Sequence, residues 1–308
     1  APPYHPGRNL MPVSFGQKLA WRLEALAYDV VSFFLNLFPF SWISKTGGWI
    51  VRKIGPLTSK QKIAKTGLQI AFPDMPDEEL NNLLRDQWDN VGRTFAEFPL
   101  LHRIKAFDDS RVTVEGLDIF KANAPAIIVT GHFANWEVMA TVLTQSGLPV
   151  RITYRKINNP HIDRRVREKR EAYGTKFLVQ KSTHKGGREL FEALNNGESI
   201  AILNDQKFNT GLPIPFFGTE AMTAQGATRL ALKTGRPLLP MAVTRDGSDF
   251  TVTFYSPIEL TRTGDKDNDV RNGVTRVSKF IEARVREKPA QWFWVHRRWP
   301  KKHYRPKT

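Results

Sequence analysis

Hydrophobic and polar positions change period once along this chain. Up to about residue 100 the apolar residues come in long helical runs. From residue 111 onward they come in short β-rich runs that alternate with helical ones. The most apolar long stretch, 19–40, contains Leu23, Leu26, Val30, Val31, Phe33, Phe34, Leu35, Leu37 and Phe38 and closes at Pro39. Helical periodicity continues over 59–72. A second start follows at Pro76, with Asp77, Glu78 and Glu79 in the first turn, where acids favour the helix N-terminus. That helix runs to about residue 91 and continues toward Phe98.

The second half predicts strands over 111–114, 126–129, 150–154, 176–179, 199–203, 237–243 and 250–255. Helices are expected over 136–145, 160–173, 185–195 and 224–234, with a polar turn at 264–268 and a last amphipathic helix over 272–286. Alternation at this spacing indicates an α/β sheet flanked by helices. There is no internal repeat and no linker. The reading is one α/β domain over 59–308, a helical segment over 14–58, and a processed or appended tail over 1–13.

The clean apolar run 30–38 is far short of the roughly 20 residues a spanning helix needs. Trp42, Lys45, Trp49, Arg52 and Lys53 follow it, a composition suited to a lipid interface with anionic head groups. The segment therefore reads as an amphipathic membrane-anchoring helix; the alternative is a buried N-terminal helix of a soluble domain. Charge points the same way. Lys plus Arg number 46 and Asp plus Glu 30, a formal net charge of +16, so the expected partners are anionic. An anionic membrane surface, an acidic protein and a nucleic acid all satisfy that. The absence of cysteine excludes disulfides, thiolate zinc sites and cysteine nucleophiles. His161 and His184 are isolated and form no ligand set, so no metal is expected.

The stretch with the most chemistry is Thr130-Gly131-His132-Phe133-Ala134-Asn135-Trp136-Glu137, between the run 126–129 and the helix from 136. Positions five apart on one helix point about 140° away from each other. His132 and Glu137 therefore meet only if the histidine lies in the loop and the glutamate in the first turn. The carboxylate then holds one ring nitrogen and leaves the other as a base. The plainer reading is a helix-cap histidine and a surface charge.

Three further stretches carry candidates. Tyr154 and Arg155 end a strand; Asn159 and Pro160 open a helix carrying Asp163, Arg164, Arg165, Arg167, Lys169 and Arg170. Asn204-Asp205-Gln206 ends the strand 199–203, where open α/β sheets place ligand groups. Pro215-Phe216-Phe217-Gly218 precedes a helix, and Trp292-Phe293-Trp294-Val295-His296-Arg297-Arg298-Trp299 lies near the C-terminus. Aromatics beside arginines suit a nucleic-acid or membrane patch.

Taken in order, these strings resemble the late acyltransferases of lipid A biosynthesis, within the glycerolipid acyltransferases. The resemblance rests on His132-x4-Glu137, Tyr154-Arg155 with Asn159-Pro160 and Asp163, Asp205-Gln206, the Pro-Phe-Phe-Gly string, and the terminal Trp-x-His-Arg-Arg string. Gly67 to Pro73 and Gly92-Arg93 with Glu97 match the helical lead-in of the same enzymes, and the likeness spans about residues 15–300. It implies a central mixed sheet and an O-acyltransferase without cofactor at the cytoplasmic face of the bacterial inner membrane. The donor is an acyl carrier protein (or acyl-CoA), and the acceptor a phosphorylated, Kdo-bearing glycolipid. His132 acts as general base supported by Glu137. Arg170 or backbone N–H groups near Gly131 meet the oxyanion, although Lys169 stands where the family usually has glycine. Arg155, Asn159, Asp163, Asp205 and Gln206 bind substrate. Phe216 and Phe217 either line an acyl-chain pocket or pack the core. Two rivals remain: an enzyme of the same fold acting with acyl-CoA on another glycolipid, such as a phosphatidylinositol mannoside, and a basic nucleic-acid-binding protein.

Overall fold

The computed structural model describes residues 14–108, 110–154, 156–172, 174–179 and 184–305, with backbone alone for 177–179 and 184–185. The proposed tail 1–13 and the candidate Arg155 lie outside the described residues.

Four helices lead: α1 (Phe15–Leu35), α2 (Phe40–Ile54), α3 (Lys60–Ala71) and α4 (Asp77–Glu97). The sheet region follows as β1 (Val112–Glu115), α5 (Leu117–Asn123), β2 (Ile127–Thr130), α6 (Trp136–Gln145), β3 (Val150–Tyr154), α7 (Pro160–Glu171), β4 (Lys176–Val179) and α8 (His184–Asn195). It continues with β5 (Ser199–Leu203), β6 (Lys207–Phe216), β7 (Thr219–Thr223), α9 (Gly226–Thr234), β8 (Leu238–Asp246), β9 (Asp249–Phe254) and α10 (Lys266–Glu287).

Seven strands form one sheet in the order β1-β9-β8-β2-β5-β3-β4. Neighbours pair in parallel except β8 with β9, so the sheet is mixed, as expected. Every residue of β2 is buried, which is why its sequence is an unbroken Ile-Ile-Val-Thr run rather than an alternating one. The register pairs Thr130 with Leu203, so the residues that leave β2 and β5 start level with each other. Helix α6 packs on β3, β8 and β9, α8 on β4 and β5, and α9 on β2 and β8.

Three elements depart from the sequence reading. Helix α10 begins at Lys266, because the Asp265 side chain accepts from Asp267 N and Asn268 N and caps a helix where polarity suggested a turn. Helix α5 was not expected. The Pro-Phe-Phe-Gly string is the tip of a separate β6–β7 hairpin, turning at Phe217 (φ 51°) and Gly218 (φ 72°). That turn lacks the Asn-Gly or Asp-Gly signature that announces a primed turn.

The helical segment 14–58 divides in two. Phe40 and Ile43 of α2 lie in the same core as the central strands. Helix α1 stays largely outside it, and only Ala25 and Ser32 are buried. Among the described residues, no helix is long and apolar enough to cross a membrane.

Helix α2 lies against α4 through glycines. A Cβ at Gly47 would come 2.3 Å from Ala96 Cβ and 2.8 Å from Gly92 O, and one at Gly92 would come 2.3 Å from Gly47 O. Gly47→Ala is therefore expected to force the helices apart and cost about 1–3 kcal/mol, a loss typical of overpacking. Gly16→Ala in α1, where a Cβ meets nothing within 4 Å, is expected to be neutral. Thermal melts of the two variants followed by circular dichroism check the contrast.

Candidate active site

The end of β2 and the end of β5 build the centre. Two residues beyond the Thr130–Leu203 pair stand His132 and Asp205. Asp205 Oδ1 lies 2.7 Å from His132 Nδ1, and Asp205 Oδ2 accepts from the His132 backbone N–H at 2.8 Å and from Trp292 Nε1 at 2.8 Å. A carboxylate only accepts, so Nδ1 carries a proton, and in the neutral imidazole the lone pair is then on Nε2. Gln206 Nε2 stands 3.3 Å from that Nε2 and is exposed. Trp136 meets the imidazole edge-on at 5.0 Å, and Phe293 stacks on it at 6.1 Å.

Both ring nitrogens are thus engaged, and neither by Glu137. This corrects the expectation that Glu137 orients His132. Asn135 caps α6 by accepting from Glu137 N at 3.2 Å, so Glu137 enters the first turn as expected. Its carboxylate, however, is gripped by Arg170 of α7, through Nε at 2.9 Å and through a terminal nitrogen. The spacing drew attention to the right two residues. The strand order, which brings Asp205 beside His132, decides which carboxylate the imidazole uses.

The turn between them is held from three sides. Ala134 adopts φ 40°, unusual for a residue with a Cβ, and donates its N–H to Gln291 O at 2.7 Å. Phe293 N donates to His132 O at 3.2 Å. Asn135 Nδ2 donates to Glu97 Oε2 at 2.8 Å. Glu97 is buried and also receives Ser44 Oγ at 2.6 Å and the two terminal nitrogens of Arg245 at 2.6 and 2.8 Å. These contacts narrow a second expectation. The N–H groups of His132, Phe133 and Ala134 are already given to Asp205, Gly131 O and Gln291 O, so these three do not form an oxyanion hole.

Asn159 and Asp163, expected to bind substrate, are buried and structural. Asn159 Oδ1 caps α7 by accepting from His161 N and Ile162 N, while Asp163 Oδ1 accepts from Ile157 N at 2.7 Å. Phe216 and Phe217 are core residues: Phe216 packs on Trp292 and Trp299, and Phe217 on Phe72 and Trp294. Most of the terminal aromatic–arginine string is interior as well, although Arg297 is exposed and Phe293 half-buried. Trp292, Trp294, Trp299 and Arg298 are at most 2% exposed, so they do not form a surface patch. Trp292, Glu97 and Arg245 are the supports that residue-by-residue reading missed. Trp292 lay inside a string already singled out, but its indole partner is 87 residues away.

Electrostatics follow the geometry. Burial alone would raise the Asp205 carboxyl, but the attraction of a protonated His132 ring and the hydrogen bonds from His132 outweigh it and hold Asp205 well below the usual carboxylate range. His296 is pushed down to about 4, chiefly by burial. Its Nδ1 gives a hydrogen bond to Phe293 O at 2.6 Å, and its ring meets Trp292 at 5.2 Å. Among the described residues, no group of three or more His, Asp or Glu residues is arranged to hold a metal.

Residues 18–301 match the family described as bacterial lipid A biosynthesis acyltransferase. The chain is similar to a lipid A biosynthesis acyltransferase of Haemophilus influenzae, at 26% identity over 82% of this chain and 81% of that one. It is also similar to the lipid A biosynthesis lauroyltransferase of Escherichia coli, at 24% identity over 78% of each chain. A phosphatidylinositol mannoside acyltransferase of Mycobacterium tuberculosis shares 22% identity over 82% of this chain and 79% of its own length.

His296 provides a test of the packing behind the site. The unfolded chain takes up this proton near pH 6.5, and the folded chain only near pH 4. The unfolded state thus binds more protons between those values, and stability falls as pH drops through that window, by roughly 3 kcal/mol. His296→Asn, whose amide keeps a donor toward Phe293 O, is expected to flatten that part of the curve. Urea unfolding at pH 7, 6, 5 and 4 measures it.

Proposed function

The chain belongs to the bacterial lipid A biosynthesis acyltransferase family, and from that premise we propose that it moves a fatty acyl chain from an acyl carrier protein thioester to a hydroxyl of a Kdo-bearing lipid A precursor. The observation that carries the reading is the His132 imidazole, fixed at Nδ1 by Asp205 with Nε2 turned toward exposed Gln206.

In this reading the acceptor hydroxyl displaces the Gln206 amide from Nε2, donates to that nitrogen, and gives up its proton as its oxygen attacks the thioester carbonyl. The resulting imidazolium faces the Asp205 carboxylate, as in a Ser-His-Asp triad with the lipid hydroxyl in the serine's place. Collapse of the tetrahedral intermediate breaks the carbon–sulfur bond. The departing thiolate takes the proton back from Nε2, leaving an ester and a carrier thiol. No enzyme nucleophile is required, because the donor arrives activated. Gln206, beside Nε2, has a second amide hydrogen to offer the developing oxyanion. Arg170 and Glu137 brace the start of α6 behind this centre.

The same reading seats the protein on the cytoplasmic face of the inner membrane. Helix α1 exposes Leu19, Leu23, Leu26, Val30, Phe33 and Phe34, and α2 adds exposed Trp42 and Trp49. Lys45, Arg52 and Lys53 are also exposed on α2, as suits an anionic lipid surface. Similarity to the mycobacterial acyltransferase keeps a second reading open, with acyl-CoA as donor and another glycolipid as acceptor. The nucleic-acid reading keeps the net charge of +16 but loses the aromatic–arginine patch, because Trp292, Trp294, Arg298 and Trp299 lie in the core.

Purified protein, acceptor lipid and either acyl carrier protein or CoA thioesters, followed by mass spectrometry, test the reading. Loss of the base in His132→Ala is expected to reduce transfer by about 10²- to 10⁴-fold. Asp205→Asn, which can no longer fix the tautomer, should cost on the order of 10⁴-fold. Gln206→Ala should cost about 10²- to 10³-fold. Near-normal turnover by folded His132→Ala protein removes the general-base account, and preference for the CoA thioester selects the second reading.

A further inference from the structure

Helix α7 has a partner on each side. At its N-terminus, Asn159 spends its amide in two directions. Oδ1 accepts from His161 N at 2.9 Å and Ile162 N at 3.3 Å, capping α7. Nδ2 donates to Trp21 O at 2.9 Å and Glu24 Oε2 at 2.8 Å, both on α1. Further along α7, Arg165 forks onto Asp29 of α1, with Nε 2.6 Å from Oδ1, and Lys169 Nζ lies 5.1 Å from the Tyr28 ring. The next residue, Arg170, grips Glu137 at the start of α6. The helix that braces the catalytic loop is therefore the one to which α1 is tied.

Helix α1 is two-faced. Its docked side carries Glu24, Tyr28 and Asp29 and buries only Ala25 and Ser32. On the other side Leu19, Leu23, Leu26, Val30 and Phe33, spaced four, three, four and three residues apart, form a continuous exposed apolar stripe. An anchor alone needs such a stripe and nothing more. The polar seam with α7 is a separate feature. Exposed ion pairs hold weakly in water, and a helix with little buried apolar area is marginal without a surface to lie on.

We propose that Asn159 is a positioning residue, through which a lipid surface holding α1 sets the Arg170–Glu137 pair and thereby the catalytic loop. The proposal rests on the acyltransferase reading for its kinetic arm but not for its structural arm. Turnover, and not only attachment, depends on the α1–α7 seam.

Asn159→Asp tests it. Aspartate keeps the acceptor that caps α7 and removes the donor to α1, setting a carboxylate against Glu24. Glu24→Gln in that background restores a donor–acceptor pair with the polarity reversed. Full-length protein is assayed on vesicles of phosphatidylethanolamine and phosphatidylglycerol. Asn159→Asp is expected to bind vesicles as the native protein does, with KM unchanged and kcat lowered on the order of ten- to a hundredfold. The Glu24→Gln, Asn159→Asp double variant should recover most of the loss. In hydrogen exchange, which needs no turnover, vesicles should protect 132–137 in the native protein and in the double variant, but not in Asn159→Asp. Native kcat in Asn159→Asp, failure of Glu24→Gln to rescue, turnover lost only in step with vesicle binding, or equal protection of 132–137 in all three proteins overturns the proposal. A native protein that consumes no acyl thioester counts against the acyltransferase reading instead, and the exchange arm still decides the coupling.

Discussion

The buried carboxylate of Asp205 is the constraint on which the site depends. Three donors meet it: the ring and the backbone N–H of His132, and the indole of Trp292. A buried carboxylate is tolerable only when its lone pairs are filled by good hydrogen bonds. Here the donors come from the end of β2 and from the C-terminal segment, so satisfying Asp205 fixes the loop and the tail against β5 at once. The His132 tautomer follows from that arrangement rather than from any local preference of the loop.

A second buried carboxylate works on the other side of the same loop. Glu97 receives Arg245, Ser44 and Asn135, which reach it from β8, α2 and the cap of α6. Replacing such a pair with apolar residues is often neutral for stability, so its use lies elsewhere. It specifies direction: Asn135 must turn toward Glu97 for its other atom to cap α6, which places Glu137 in the first turn. The left-handed Ala134 is the local cost of running the chain between these two fixed points.

Much of this was legible in the sequence because it depends on short-range rules. The apolar run into Gly131 gave a buried strand and a loop histidine, Asn159-Pro160 gave a capped helix, and the residues after β5 gave polar groups at a strand's carboxyl end. What stayed hidden depends on strand order. Strands β2 and β5 are neighbours although β3 and β4 lie between them along the chain, so the His132–Asp205 contact has no local signal. Asn159 and Asp163 match a family string yet serve the backbone of α7 and the Ile157 N–H. A motif's residue types do not by themselves separate a ligand from a cap. The tryptophan–arginine string misled for a related reason. Composition cannot tell an amphipathic surface from an arginine buried in a ring cluster, and Arg298 is buried with its terminal nitrogens on Met222 O and Thr223 Oγ1.

The site holds two carboxylates near one histidine, and their partners assign them different tasks. For Glu137 to serve the imidazole it would have to give up its paired hydrogen bonds with Arg170, whose side chain is 19% exposed, and breaking a largely buried ion pair is costly. Asp205 bears no such commitment. Among the described residues, its only titratable hydrogen-bond partner is His132; the remaining donors are a backbone N–H and an indole. When Nε2 takes a proton, the new positive charge faces a negative one already in place, and the Arg170–Glu137 pair stays neutral beside it. In the proposed transfer, the charge that develops on the imidazole meets a countercharge already built into the protein. A preorganised countercharge of this kind suits His132 to the proposed role of base.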